Sequence, residues 1–320
     1  LAWTRPVRMG GVQWRRNFGV RPDLITLPMP RFTADAALPS AVDLYVNNIQ
    51  QFGSDVQDGP FVLDTLPRIN GAGEASLIVT DALGRVTQTT RPLYVDYLRL
   101  ASGLSDFSVE AGFLRRNFGG EDDNYESEPA ASFSWRRGMT DTFTIESHGE
   151  IGLGTRMAGV GAVWSPANRW GALTGSYSRS SGDTDGDQHT LGYQWNSPAY
   201  GIDLHHLRRS AGFRDLGDAG LDTTATAPSL RAQDRATFWI PTRRGSFAFT
   251  WLRWRDGEEQ SHRTRSISWT QIFASSLSLS MNLFDDDDRG RGGGLILSKP
   301  LGDDLYASVS TQRSGGRMST

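Results

Sequence analysis

Apolar and polar residues alternate with a period of two along most of the chain, and this pattern limits the possible fold more than any other feature. Phe107, Val109 and Ala111, for example, alternate with Ser108 and Glu110. Successive side chains of a β-strand point to opposite faces of its sheet, so a period of two indicates strands with one apolar and one polar face. The sequence therefore predicts an all-β fold.

The alternating segments after residue 104 are about ten residues long, which suits a tilted strand that crosses a bilayer. We count about thirteen such segments, separated by turns. The polar or small positions that alternate with apolar ones include Ser108, Glu110, Ser132, Ser134, Thr144, Glu146, Gln194, Asp203, His205, Thr250, Ser278 and Ser280. An apolar outer face and a polar inner face predict a transmembrane antiparallel β-barrel, present in part, with a water-filled lumen.

Composition argues against several other classes of protein. The 320 residues include no run of roughly 18 apolar residues, so no transmembrane helix is predicted. The formal net charge of −3 gives no indication of nucleic-acid binding. The sequence contains no cysteine, which excludes disulfides, thiolate metal sites and a cysteine nucleophile within these residues.

A stretch of shorter strands, residues 38–94, interrupts the longer segments. Turn sequences such as Asp58-Gly59-Pro60 and Asn70-Gly71 separate its alternating runs. About five short strands in so few residues predict a small β-sandwich. Since wall-like segments come before and after it, this domain is expected in the lumen of the barrel or in the periplasm.

Two similar segments flank this stretch, residues 14–19 and 114–119, and both contain Arg-Arg-Asn-Phe-Gly. If the domain between them is an insertion, the two strands that carry them are neighbours in the wall. The candidate pore-lining residues beside the inserted domain are then Arg15, Arg16, Arg115 and Arg116. An ordinary repeat of barrel-strand chemistry explains the segments equally well.

Several separate segments resemble the outer-membrane ushers that assemble chaperone–usher pili. The matching segments are residues 42–47, 58–67, 71–74, 79–85, 103–112 and 206–215, and their order and spacing agree over residues 8–255. The resemblance implies that residues 31–96 are a plug domain with a β-sandwich fold. It implies that residues 1–30 are barrel strands before the plug and that residues 97–320 are barrel strands after it. The plug-domain motif residues are Asp58, Gly59, Pro60, Phe61, Gly71 and Gly73.

The same resemblance implies a gated secretion pore in the bacterial outer membrane. In ushers a plug closes the pore at rest, and fimbrial subunits delivered by a periplasmic chaperone pass outward by donor-strand exchange, without nucleotide or cofactor. The implied partners are pilus subunits, the chaperone and outer-membrane lipid. The chain is expected to be a fragment that covers the plug and part of the barrel. In ushers a loop or helix near residues 213–233 packs against the plug, and here this segment is short and poorly helical.

Two alternatives stay open. A passive porin or plugged nutrient receptor of the outer membrane would share the barrel, although receptors carry their plug before the first strand and residues 11–18 already read as wall. A soluble adhesin or sugar-binding protein built from several sandwiches would share the strands, but the regular segments and single interior pattern argue against it.

No motif indicates an enzyme, a metal site or a cofactor. The sequence contains no H-E-x-x-H, G-x-S-x-G or Walker motif. His205 and His206 are adjacent, so in a strand they point to opposite faces. Residues 285–288 are four aspartates that do not match the EF-hand loop, and a solvated loop is expected. Asp106 and Glu110 share a strand face, but nothing else supports a glycosidase pair.

Overall fold

The computed structural model describes residues 1–21, 23–28, 32–36, 38–47, 49–63, 71–116, 124–166, 170–219, 230–258, 260–273, 276–288, 290–300, 306–314 and 317–319. Parts of three sequence predictions lie outside the described residues. They are residues 64–67 of the usher-like segment 58–67, residues 117–119 of the second Arg-Arg segment and residues 220–229 of the segment that in ushers contacts the plug.

Fifteen described strands form one antiparallel sheet, in the order β1, β8 and then every later strand through β21. The strands of this large sheet are β1 (Met9–Arg15), β8 (Ser105–Arg115), β9 (Tyr125–Thr140), β10 (Phe143–Gly152), β11 (Thr155–Trp164), β12 (Ala172–Gly182), β13 (Gly186–Asn196), β14 (Gly201–Arg209), β15 (Ala232–Thr242), β16 (Gly245–Arg255), β17 (Ser261–Ile272), β18 (Ser278–Asp286), β19 (Gly290–Pro300), β20 (Tyr306–Ser314) and β21 (Arg317–Ser319). Among the described residues β1 and β21 are the two edges of the sheet and do not pair with each other, so these strands do not close a barrel.

The first strand, β1, pairs with β8 although the stretch of short strands separates them in sequence. Met9 lies opposite Leu114, and Arg15 lies opposite Ser108. The prediction that the two strands flanking the inserted stretch are neighbours is therefore confirmed. We call the edge of the sheet where β13 ends the Asn196 end, and the opposite edge the Gly186 end.

The register of the large sheet separates polar from apolar side chains. On β10, Glu146 and His148 are buried, while Val160 and Trp164 of the neighbouring β11 are exposed on the other side. We call the side of Glu146 and His148 the inner face and the side of Val160 and Trp164 the outer face. Carried from strand to strand, the pairing puts all of the polar positions named from the alternation on the inner face.

Apolar residues cover the middle of the outer face. Phe249 pairs with Ile267, which in turn pairs with Leu283, and each of these side chains is more than two-fifths exposed. Large apolar side chains that face outward on neighbouring strands form a continuous surface. We call this surface the outer belt.

The inserted stretch forms a separate small unit of two sheets. A four-stranded sheet has the order β4, β3, β6, β7, and a two-stranded sheet pairs β2 with β5. Its strands are β2 (Phe32–Ala36), β3 (Ser40–Val46), β4 (Ile49–Val56), β5 (Gly59–Leu63), β6 (Gly71–Asp81) and β7 (Val86–Val95). Leu63 of β5 belongs to the same buried cluster as Val42, Leu44 and Leu77 of the four-stranded sheet, so the two sheets share one core.

Helical structure is sparse in the part of the chain that is described. A 3-10 turn spans Phe18–Val20, and the α-helix α1 spans Leu216–Ala219. Neither these nor any other helix among the described residues is long and apolar enough to span a membrane.

Candidate functional site: the inner face and the docked small unit

A row of ionisable side chains lines the inner face along β10. Because strand residues two apart share a face, Glu146, His148 and Glu150 all point inward, and each is buried. His148 Nε2 lies 2.8 Å from Glu150 Oε1, and its Nδ1 lies 2.8 Å from Ser134 Oγ on β9. The row forms a connected polar surface rather than a set of separate charges.

The N-terminal segment crosses this surface and places Trp3 on it. The Trp3 ring is only 7% exposed, and its Nε1 donates a 2.9 Å hydrogen bond to Glu146 Oε2. A Cβ added at Gly161 would lie 2.5 Å from Trp3 Nε1, and one at Gly159 would lie 2.9 Å from the ring. The two glycines of β11 therefore provide the space that the indole occupies.

An ion cluster fixes the same segment two residues further on. Arg5 Nε donates to Asp215 Oδ2 at 2.9 Å, and Arg5 Nη2 lies 2.6 Å from Asp218 Oδ1. Arg209 Nη2 donates to Asp215 Oδ2 at 3.3 Å from the wall side. Burial alone would raise the pKa of Asp215, but the hydrogen bond and charge of Arg5 outweigh it, so the pKa is lowered. Burial lowers the pKa of Arg5, but the hydrogen bonds and charges of Asp215 and Asp218 raise it by more. The pKa of Arg5 is therefore raised.

The segment after β14 folds back onto the inner face. Phe213 and Leu216 are almost completely buried, and the backbone N–H of Leu216 donates to Glu150 Oε2 at 2.7 Å. The N–H of Arg214 donates to Ser180 Oγ at 2.9 Å. The inner face thus holds two chain segments, one before β1 and one after β14, which meet at Arg5 and Asp215.

The small unit docks at the Asn196 end of the sheet. Tyr94 stacks on Trp195 with ring centroids 5.4 Å apart, and its hydroxyl donates to the carbonyl of Gln194 at 3.1 Å. Burial first, and then the charge of Asp96, raise the pKa of Tyr94, so its hydroxyl stays a donor. Gly71 has φ +106°, and an added Cβ would lie 2.4 Å from the carbonyl oxygen of Asn196. Only glycine therefore fits this contact.

The connection from the small unit to β8 is held by a buried ion pair. Arg99 Nε lies 2.5 Å from Asp96 Oδ2, and both side chains are at most 3% exposed. Arg99 also donates to the carbonyls of Tyr94 at 2.7 Å and Asp141 at 3.0 Å. One guanidinium thus links the last strand of the small unit to the turn between β9 and β10.

The predicted plug-motif residues lie at two places in the small unit. Asp58 directly precedes β5, Gly59 and Pro60 are its first residues and pair with Ala36 and Asp35, and Phe61 packs on the edge of the shared core. Gly71 lies at the docking contact, and Gly73 pairs with Leu93 of the edge strand β7. Of these motif residues, the structure brings Gly71 into contact with the wall.

The four candidate pore-lining arginines lie at opposite ends of their strands, because β1 and β8 are antiparallel. By register Arg15 lies on the inner face, opposite Ser108, at the Asn196 end. Arg16 lies over the ring of Phe107 at 5.8 Å and donates to the carbonyl of Ser105 at 2.5 Å. Arg115 and Arg116 lie at the Gly186 end, where Arg116 contacts Glu126.

The described part of the chain holds no group of three or more His, Cys, Asp or Glu side chains that could bind a metal ion. Asp288 and Asp286 of the aspartate run contact His262 and Thr264. His205 and His206 point to opposite faces, as adjacent strand residues must. Asp106 contacts Arg136, and Glu110 accepts from Gln13.

Sequence reasoning missed Trp3, Arg5 and Asp215. They lie in segments without periodicity, so alternation gave no signal for them. The glycines at positions 159 and 161, both inward-facing on one strand, were the available sign that a bulky group covers β11.

No family model matches the chain, and no curated protein matches it. Several solved structures are similar to the chain. The P pilus usher PapC translocation pore aligns with a TM-score of 0.56 and 15% identity, over 97% of this chain and 65% of that one. PapC in an E. coli P pilus tip assembly intermediate, PapC-PapD-PapK-PapG, aligns with a TM-score of 0.61 and 16% identity, over 89% of this chain and 37% of that one. The Pseudomonas aeruginosa protein OccK5 aligns with a TM-score of 0.39 and 11% identity, over 88% of this chain and 94% of that one.

At these identities the alignments show the fold. The chain has a fold similar to that of the PapC pore, and it spans 65% of the length of that chain. Its sequence is far from that of PapC, so the fold does not by itself assign PapC's activity to this chain.

Proposed function

We propose that the chain is part of an outer-membrane usher, a pore that exports and assembles pilus subunits. The observation that carries this proposal is the small unit inserted between β1 and β8, two strands that are neighbours in the wall. An insertion at this place leaves the hydrogen bonding of the wall intact while adding a unit that can move. The usher-like fold of the whole chain supports it.

The two faces of the large sheet suit this role. The outer belt would contact lipid, and the inner face would line the channel, as in barrels with an aqueous lumen. A polar channel wall does not hold a passing subunit by apolar contacts. The strands within residues 1–30 and 97–320 are accordingly proposed as barrel wall, and Arg15 is the one of the four candidate arginines that the register of β1 places on the inner face.

Residues 31–96 are proposed as the plug, which gates the channel. The contact of Gly71 and Tyr94 with the Asn196 end is small: it includes a hydrogen bond, a stacked ring pair and the packing of Tyr94 against Val163 and Ala172. A contact of this size can be broken without unfolding either part, because each has its own core. The core of the small unit, for example, lies within its own strands.

Pilus subunits and a periplasmic chaperone are the proposed partners, and the energy for export would come from donor-strand exchange. One aligned PapC structure contains PapD, PapK and PapG, which supports partners of this kind. A passive plugged porin or receptor is the alternative. It would share the conductance of an usher but would not release assembled subunits from cells.

The test is planar-bilayer conductance of the full-length protein and of a variant without residues 32–95. We expect small, flickering currents from the intact protein and large, steady currents from the deletion variant. Gly71→Ala should resemble the deletion in part, since the added Cβ collides with Asn196. Gly59→Ala is the matched control, because Gly59 also has a positive φ but no atom near its added Cβ.

Equal conductance in all four proteins would show that the small unit does not gate the channel. The deletion variant could give large currents while cells that carry the intact protein and a periplasmic pilus chaperone export no subunits. That outcome would favour the porin alternative.

A further inference from the structure

Arginines gather on the outer face of β16 and β17, near the Gly186 end. Arg253 lies directly opposite Arg263, and Arg265 follows two residues later on the same face. All three are exposed. Side chains directly opposite on paired strands begin about 5 Å apart, and like charges in that position repel each other. We call these three residues the arginine patch.

The two aspartates that lie opposite arginines of the patch contact other basic side chains. Asp234, opposite Arg253, is held by His206 at 2.7 Å and Arg208 at 2.9 Å. Asp285, opposite Arg265, lies 3.5 Å from Arg291 instead.

The arginines themselves have few partners. Arg263 has only a loose contact with Asp287, at 3.6 Å. Within the described residues the Arg265 side chain has no hydrogen bond or ion pair, and the Arg253 side chain donates only to the hydroxyl of Ser261. Opposed positive charges without a shared acid call for an anion between them.

Apolar surface begins directly beside the patch. Trp251 lies opposite Arg265, and the next outward residues towards the Asn196 end are Phe249 and Ile267 of the outer belt. A cavity of about 720 Å³ opens on the other side of Trp251, bordered by Leu204, Ala236 and Leu191. Guanidinium groups at the margin of a broad apolar surface match a molecule with an anionic head and long hydrocarbon chains.

We propose that the arginine patch binds the phosphate of an anionic lipid whose acyl chains lie along the outer belt. Arginine suits this ligand because its guanidinium can donate two parallel hydrogen bonds to phosphate oxygens. The site rests on the proposed function, since it requires the outer belt to face lipid. It adds to that function a fixed lipid at one margin of the wall.

The test is native mass spectrometry of the full chain in detergent, titrated with dioleoyl phosphatidic acid, with dioleoyl phosphatidylcholine and with inorganic phosphate. We expect phosphatidic acid to bind at least about tenfold more tightly than phosphatidylcholine, since each arginine at a lipid surface strengthens anionic binding. Arg253→Gln/Arg263→Gln/Arg265→Gln should abolish this preference. Arg156→Gln/Arg179→Gln/Arg313→Gln, which removes three other outward arginines, should keep it.

Equal binding of both lipids by the native chain, or an unchanged preference in the patch variant, would overturn the site while leaving the membrane proposal standing. Inorganic phosphate binding as tightly as phosphatidic acid would overturn the lipid as ligand. A chain that stays in solution without detergent and binds neither lipid would overturn both the site and the proposed function. Circular dichroism of each variant checks that the β-structure is kept.

Discussion

Asp215 joins the two segments that cover the inner face, so its charge state controls how firmly they are held. Its pKa is lowered in the folded protein, chiefly because Arg5 outweighs the effect of burial. A lowered pKa gives stability that is complete above the ordinary value, near 3.8, and is lost as pH falls through the folded value. The contact with Arg5 should therefore be intact between about pH 5 and pH 8. It should weaken below about pH 4.

Hydrogen exchange of the buried Trp3 indole N–H, followed by NMR and corrected for the intrinsic effect of pH, measures how firmly this segment is held. We expect strong protection near neutral pH and loss of protection in acid. Asp215→Asn should remove most of the protection at neutral pH, and Asp23→Asn should not, because Asp23 pairs with Arg21 on the exposed surface. Equal protection of the native segment in acid and at neutral pH would contradict the assignment.

For single residues, the sequence predicted the position of those that take part in the alternation and missed those that do not. Glu146 was assigned to the polar face because it alternates with apolar neighbours. Trp3 and Asp215 have no such neighbours, and their contacts join positions 143 and 210 residues apart. Contacts between remote aperiodic segments depend on the finished fold, so one sequence does not reveal them.

Among the elements, the connection between β7 and β8 contains a buried ion pair with several supporting hydrogen bonds. Asp96 accepts from the backbone N–H groups of Leu98 and Arg99 as well as from the Arg99 guanidinium. Removing one partner of a buried ion pair leaves a buried charge, at a cost of about 3–5 kcal/mol. Arg99→Ala should therefore destabilise the small unit and free it from the wall.

Arg85→Ala is the matched control for this substitution. Arg85 also pairs with an aspartate in the small unit, Asp81, but its side chain is 68% exposed. Solvent screens an exposed pair, which therefore contributes little, so this variant should unfold almost as the native chain does. Unfolding of the Arg99→Ala and Arg85→Ala variants in urea is compared by measuring hydrogen exchange over residues 71–95 at each urea concentration. Similar losses in both variants would mean that the connection does not hold the unit.

The elements themselves were largely predictable, because the repeated Arg-Arg segments and the turn residues marked their ends. The pairing of β1 with β8 followed from treating the short strands as an insertion. The position of the four arginines did not follow, since antiparallel pairing places Arg15 and Arg115 at opposite ends of adjacent strands. A sequence repeat shows that two strands are similar, but it does not show whether they run parallel or antiparallel.

For the whole molecule, the alternation fixes which face of the large sheet is apolar, and Ile267 and Ser268 provide the sharpest test of it. These adjacent residues lie near the middle of β17, Ile267 on the outer belt and Ser268 on the inner face. Ser268 borders a cavity of about 500 Å³ lined by other inner-face residues, including Thr270, Ser280 and Asn282. A long charged side chain has room there.

Ile267→Arg should destabilise the chain folded into a bilayer by about 2–4 kcal/mol, because it places a charge in the hydrocarbon region of a barrel wall. Ser268→Arg should cost much less, since its side chain enters a polar, water-filled space. Folding into phospholipid vesicles, followed by the difference in gel mobility between heated and unheated samples, measures both variants against the native chain. If Ser268→Arg proved the more damaging of the two, the inner face would be the one in contact with lipid, and the large sheet could not enclose an aqueous channel on that side.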